Sequence, residues 1–287
     1  MLGLVALAVL GAAPGPWGEF GIAGSGSYGS GGGLTSYSGM GLLTLSGFLH
    51  HRLHDDDSPL SLQPYLQRAS SLGGEVSASG FSTDGQGLPE PYHGTTFAGS
   101  VSLDAYTGPV LTLFASAEFA RVTTGGGFVA GSVYLLPRAT FGPGLRFGDT
   151  RLTLGYEYAP TIKDGTYDGR GFGELYLRIT TVFGGRLYVS ALGEVILSGG
   201  LGLLELAVFP STTFGLGASM RFAQGAIYFD SRQVFRQWEP AFSLTWWVTP
   251  RGALGIGYRF THSEPVDGGG TPFDTHQFSL AFAFRLE

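Results

Sequence analysis

Large apolar side chains fall on every second residue through most of this chain. Residues 96–106 set Phe97, Gly99, Val101, Leu103 and Ala105 against Thr96, Ala98, Ser100, Ser102, Asp104 and Tyr106. Residues 151–158 set Leu152, Leu154, Tyr156 and Tyr158 against Arg151, Thr153, Gly155 and Glu157. Phe214, Leu216, Ala218, Met220 and Phe222 share one parity, and Leu244, Trp246, Leu254, Ile256 and Tyr258 repeat the pattern further on. A period of two belongs to strands, whose successive side chains point to opposite faces. Gly, Pro and Asp clusters separate the runs, as at 107–109, 183–185, 198–200 and 248–252. Such turns are short, so neighbouring runs pair as antiparallel hairpins. The pattern predicts about 14 to 16 strands. They fall near 18–27, 39–53, 70–82, 94–106, 109–122, 127–136, 138–147, 150–159, 171–182, 185–197, 200–208, 212–222, 225–236, 238–248, 252–262 and 275–286. No amphipathic helix and no linker interrupts the series, so it reads as one domain.

The other parity decides what the sheet encloses. A soluble sandwich coats its outer face with Lys, Glu and Asp. Here that face is Gly, Ser, Thr and Ala with single charges, and Lys163 is the only lysine. Charged residues make up 13% of the chain, about half the usual share. Small polar residues line a lumen better than they coat a protein of this size, and the apolar parity can meet lipid. The runs have about the 9 to 11 residues that a tilted membrane-crossing strand needs, and a closed barrel leaves no unpaired backbone in lipid. The expected fold is all-β: a single transmembrane antiparallel up-and-down β-barrel. Tyr156, Tyr158, Trp246, Tyr258 and Phe260 share the apolar parity near strand ends, where interfacial aromatic girdles belong. The absence of cysteine excludes disulfides and thiolate metal sites, and a net charge of -6 argues against nucleic acid as a partner. No apolar run reaches the roughly 18 residues of a spanning helix. The opening MLGLVALAVLGAA resembles the apolar core of a secretory signal cleaved after Ala13, without the usual basic residues. Residues 1–13 are therefore expected to be a signal peptide and 14–287 the barrel.

The chain ends HQFSLAFAFRLE, in which Phe278, Leu280, Phe282, Phe284 and Leu286 alternate with Gln277, Ser279, Ala281, Ala283 and Arg285. With the aromatic pattern, this ending resembles bacterial outer-membrane β-barrel proteins of the porin-like class, over nearly the whole length after the signal. The resemblance implies an integral protein of a Gram-negative outer membrane, with lipid and the barrel-assembly machinery as partners. It implies that Phe278, Leu280, Phe282 and Phe284 form the assembly signal. In that class the last residue is usually Phe; here Phe284 is followed by Arg285, Leu286 and Glu287, so Phe284 stands in for it. Such barrels carry short periplasmic turns and longer outer loops. The predicted strands place 28–38, 83–93 and 263–274 outside, but 54–69 and 160–170 in the periplasm, against that rule.

Parity puts Glu19, Glu75, Asp104, Glu118, Glu157, Glu174, Glu194, Glu205 and Asp230 inside, with Arg138, Arg146, Arg151, Arg178, Arg186, Arg221, Arg232, Arg259 and Arg285. Acids dominate before residue 120 and arginines after it. One reading is a transverse field across a pore, orienting polar or zwitterionic solutes. The other is that the charges pair across neighbouring strands and fill the lumen, as Glu174 with Arg186 would. HHRLHDDDSP at 50–59 offers His50, His54 and three Asp but no strict metal-ligand spacing. LQPYLQR at 62–68 reads as a long connection, with a docking segment or a piece folded into the lumen as alternatives. His262, Ser263, Asp274 and His276 flank one predicted loop, yet no nucleophile motif is present. GSGSYGSGGG at 24–33 lacks the Lys and helix of a phosphate loop and reads as a flexible loop. No catalytic, cofactor or metal residues are expected. The favoured function is a water-filled, charge-lined channel for small polar solutes. The alternatives are a structural or docking barrel of an envelope-spanning machine, such as polysaccharide export or surface motility, and, remotely, a barrel hydrolase.

Overall fold

The computed structural model describes residues 17–48, 59–66, 70–85, 88–127, 129–167, 172–196, 199–226, 234–266 and 271–286. The expected signal peptide, His50, His54, Asp230 and Arg232 lie outside them. The strands are β1 (Trp17–Gly31), β2 (Leu34–Phe48), β3 (Ser71–Gly85), β4 (Tyr92–Tyr106), β5 (Leu111–Gly126), β6 (Val129–Phe147), β7 (Thr150–Ala159), β8 (Ile162–Lys163), β9 (Thr166–Tyr167) and β10 (Phe172–Phe183). They continue with β11 (Leu187–Ile196), β12 (Gly199–Val208), β13 (Phe214–Ala226), β14 (Val234–Thr249), β15 (Gly252–Pro265) and β16 (Phe273–Leu286). Fourteen of them pair antiparallel with their chain neighbours, and β1 pairs with β16, closing an up-and-down barrel. The two-residue strands β8 and β9 form a small hairpin against Tyr134 and Leu135 of β6.

Two predicted strand breaks vanish. Residues 129–147 form one strand through Pro137, and 234–249 form one strand across the expected break at Gln237 and on through Pro240. Proline cannot donate to a ladder, and each of these prolines sits where one neighbour is missing. The β6 strand pairs with β7 only from Ala139 onward and with β8 at Tyr134 and Leu135, leaving Pro137 in the gap. Pro143 falls in the interruption between Phe141 and Gly144 of the same ladder. Pro240 lies between Trp238 and Ala241, where the β14–β15 ladder is likewise interrupted. With these strands joined, the described part of the 160–170 connection, 160–167, lies at the end away from the termini, correcting its expected periplasmic position. The Gly-rich 24–33 stretch is also corrected. It is strand up to Gly31, and the turn is Gly32 and Gly33 alone, with φ of 59° and 77°. Both values are positive, as a two-residue type I′ hairpin turn requires.

The register gives each strand an outer and an inner face. Outer side chains form a continuous exposed apolar belt, including Phe97, Leu177, Phe242 and Phe278, the last 64% exposed. A belt this large marks a surface made for lipid. Leu175, Tyr156, Ile256 and Leu280 belong to it through direct cross-strand pairing. Tyr158, Phe260 and Trp238 lie toward its edge away from the termini, and Arg121, Glu264, Asp274 and the Arg236–Glu264 ion pair (3.2 Å) stand beyond it. Trp246 marks the opposite edge. The inner face is mostly small, and larger inner side chains lie over glycine. Tyr176 pairs with Gly155, its ring lying where a Cβ on Gly155 would go, and meets Phe114 at 5.7 Å. Gly155→Ala therefore displaces that ring and costs about 1–3 kcal/mol, read as a lower temperature for loss of the folded, heat-modifiable gel band.

Candidate functional site

The end that carries both termini is crossed by a short segment of the β2–β3 connection. Residues 60–62 make a 3-10 turn, followed by one helical turn, α1 (Gln63–Leu66). Pro64 is accommodated in the first turn, where no helical N–H bond is needed. Leu60 packs with Trp247 and Ala253, while Leu62 packs with Val182 and Phe209, joined by Tyr65, Leu66, Tyr188 and Ala207. Trp247, Ala253, Val182, Tyr188 and Ala207 are inner-face residues of strands spread around the barrel, and Phe209 follows β12 directly, so the segment fills the mouth from within. This corrects the reading of LQPYLQR as a long connection: its described part, 62–66, is folded into the lumen.

Two arginines latch the segment. Arg146, its side chain wholly enclosed, donates from one nitrogen to the Tyr65 carbonyl (2.8 Å) and the Tyr106 hydroxyl (3.0 Å), and from Nε to the Gly148 carbonyl (3.0 Å). Its guanidinium lies 4.4 Å from the centre of the Tyr65 ring. Arg285 donates to the Leu60 carbonyl and, from Nε, to Glu19 (2.8 Å), with its guanidinium 4.2 Å over the Trp247 ring. Stacked, forked arginines of this kind are not replaceable by lysine. Trp247 Nε1 donates to the Ser61 hydroxyl (2.9 Å), and the Tyr65 hydroxyl donates to the carbonyls of Asp149 (2.9 Å) and Thr180 (3.1 Å). Burial pushes the Tyr65 phenol up to about 12, against the opposing pull of Arg146. A raised phenol favours the docked segment below pH 10 and loses that contribution as pH rises from 10 through 12. Phenolate absorbance titration detects Tyr65 in that window, and Tyr65→Phe removes that component.

The register places Glu75, Asp104, Glu118, Arg138, Arg146, Arg151, Glu157, Glu174, Arg178, Glu194, Arg221, Arg259 and Arg285 on inner faces. Most of the arginines are paired. Arg138 holds Glu157 (3.1 Å), Arg221 holds Glu239 (2.8 Å), and Arg285 holds Glu19. Arg151 reaches past two strands to Asp104 (3.0 Å), over Gly144 and the short side chain of Thr112. Acids and arginines are therefore interleaved, not segregated onto two walls. Glu239 was missed because WEP reads as a strand boundary; its sequence signal is that it shares parity with Ala241. Arg186 is corrected: it lies in the exposed β10–β11 turn and donates to the carbonyls of Phe209 and Pro210 (both 3.3 Å). Glu174, near the other end of β10, stands opposite Glu157 and beside Glu194. These three carboxylates bring one oxygen each within 4.8 Å of one another, a donor set suited to a hard cation, with Arg138 already on Glu157.

Beyond the closed mouth the lumen opens into a cavity of about 490 Å³. Its wall runs from β11 through β16 to β1 and β2, and is built from Gly, Ala and Ser with Glu205, Arg259, Gln277, Met40 and Leu42. The four residues around 262–276 do not assemble a triad. His262 Nδ1 meets Asp274 at 2.6 Å on the outer face, and Tyr258 meets His276 at 2.8 Å. Ser263 faces inward and accepts from Gln237.

Against solved structures, the chain matches barrels of bacterial outer membranes. The toluene transporter TodX of Pseudomonas putida superposes with a TM-score of 0.60 at 11% identity, covering 97% of this chain and 91% of that one. Omp33 of Acinetobacter baumannii gives 0.54 at 15% identity, covering 95% and 100%. A FadL homologue of Pseudomonas aeruginosa gives 0.55 at 10% identity, covering 95% and 90%. No family model matches the chain, and no curated protein matches it by sequence. At these identities the likeness is one of fold: the chain has the fold of bacterial outer-membrane β-barrels.

Proposed function

We propose that the protein is an outer-membrane channel for small solutes, held shut at its periplasmic mouth by residues 59–66. The observation that carries this reading is the cavity of about 490 Å³ inside a lipid-belted barrel, stoppered at one end by a segment of the same chain. The orientation follows the rule that longer loops lie outside: apart from the 49–70 connection, the links at the end with both termini run to five residues at most, as at 209–213, while the opposite end carries the longer links between Ala159 and Phe172 and between Ala226 and Val234. In this orientation Tyr156, Tyr158, Tyr258 and Phe260 serve the outer leaflet and interface, and Trp246 the inner one. Phe278, Leu280, Phe282 and Phe284 present the outward pattern for the assembly machinery. Transport by two of the fold neighbours, a toluene transporter and a hydrocarbon-channel variant of the same protein, supports a channel in general.

The paired inner charges weigh against a freely conducting, strongly charge-selective pore, so the reading is a gated channel. A docking role in an envelope-spanning machine would draw support from an ordered periplasmic segment with apolar side chains available to a partner. Here Leu60 and Leu62 are turned into the barrel. A hydrolase is disfavoured because the His262–Asp274 pair has no hydroxyl nucleophile beside it among the described residues. Planar-bilayer recordings of the refolded protein, with and without the mouth segment, test the proposal.

A further inference from the structure

Among the inner arginines, Arg259 lines the cavity, and Arg178, the other without an ion pair or hydrogen bond among the described residues, does not. Arg138, Arg151, Arg221 and Arg285 each hold a carboxylate, and Arg146 is enclosed by the mouth segment. Arg259 lies in register between Ala241 and Gln277, is exposed to the cavity, and makes no ion pair or hydrogen bond among the described residues. Glu205 lines the same cavity from β12, between Ser190 and Ser219, and is equally unpaired among them. The inner positions between the two include Gly217, Ala241, Ser243 and Gly257, none long enough to bridge them. On the far side of Arg259, Met40 and Leu42 face inward from β2, opposite Ser25 and Ala23 of β1.

A cavity with one free positive and one free negative group is matched by a solute that is neutral overall but dipolar. An isolated anion would meet the field of Glu205, and an isolated cation that of Arg259. Arg259 and Glu205 stand three strands apart, about 14 Å along the wall at the usual strand spacing. Their side chains shorten that gap but do not close it. The ammonium and carboxylate of one α-amino acid are too close together to reach both groups; the two termini of a short peptide are not. A cavity of about 490 Å³ also falls within the usual range for small-molecule sites, about 300–1,000 Å³. We propose that this cavity is a binding site for a short zwitterionic peptide, two or three residues long. Its carboxylate lies on Arg259, its ammonium on Glu205, and an apolar side chain lies against Met40 and Leu42.

The proposal rests on the lumen being a solute pathway, but it is tested by binding rather than conductance. Titration calorimetry on the detergent-solubilised full chain compares Gly-Leu, its N-acetyl form and its C-terminal amide. The free dipeptide is expected to bind about tenfold or more tightly than either blocked form. Arg259→Gln is expected to abolish the preference for a free carboxylate while keeping that for a free amine, and Glu205→Gln the reverse. Neither side chain holds another in place, so both variants retain heat-modifiable mobility. Absence of dipeptide binding to the native chain, equal binding of all three compounds, or a native profile in Arg259→Gln each overturns the site. Binding without conductance in the unstoppered variant overturns the channel and leaves the site standing.

Discussion

Replacing residues 59–66 by Gly and Ser at equal length turns a silent barrel into a conducting one. The native chain is expected to give rare, brief openings in a planar bilayer, and the variant stable current steps. The expectation follows from what the segment fills. Leu60, Leu62 and Tyr65 occupy the mouth, and Leu62 is only 5% exposed. A 14-strand barrel is wider than the eight-stranded barrels that side chains alone can fill, so little else closes that end. Silence in the variant, with the barrel folded, places the block elsewhere and ends the gating reading. Full conductance of the native chain does so as well.

Arg146→Ala releases the segment without removing it. The substitution strips the Tyr65 carbonyl, the Tyr106 hydroxyl and the Gly148 carbonyl of their donor. The Tyr65 carbonyl and Tyr106 hydroxyl are half-buried, so losing their donor costs up to about 1–3 kcal/mol each, and the stacking on Tyr65 is lost too. The loss falls on docking of the segment, since β6 keeps its ladder bonds to β5 and β7. Protease nicking within residues 59–66 is therefore expected in Arg146→Ala and absent from the native chain, with heat-modifiable mobility unchanged. Arg146→Lys keeps the charge without the fork and falls between the two. Arg138→Ala serves as the control: its side chain is 51% exposed, and such a pair contributes at most about 1 kcal/mol. Equal nicking in both variants refutes the latch.

The belt and the barrel were legible because a lipid-facing strand must repeat every two residues. Phe278 to Leu286 and Leu152 to Tyr158 declare their faces without help from any partner. The strand count was not, because Pro137 signals a break in a local reading and a second break falls at Gln237, just before Pro240. What makes them harmless is a gap in a neighbouring ladder, which only the closed sheet reveals. Charge was half legible: parity placed Arg221 inside, but its partner Glu239 followed from register. The segment 59–66 was hidden for a different reason. Its alternation is too short to distinguish from a connection, and its partners Arg146, Trp247 and Arg285 lie far away in sequence.

Arg285 joins three parts of the chain that are synthesised far apart. It bonds Glu19 on the first strand and the Leu60 carbonyl of the mouth segment, from the second-to-last residue of the last strand. The closing seam spans nearly the whole chain, and contacts of that separation form late in folding. The segment's final latch therefore cannot form before the last strand is in place. During assembly the barrel is a tube before it is a vessel: it gains its floor only when its wall is complete, and Arg285 is the side chain that ties one event to the other.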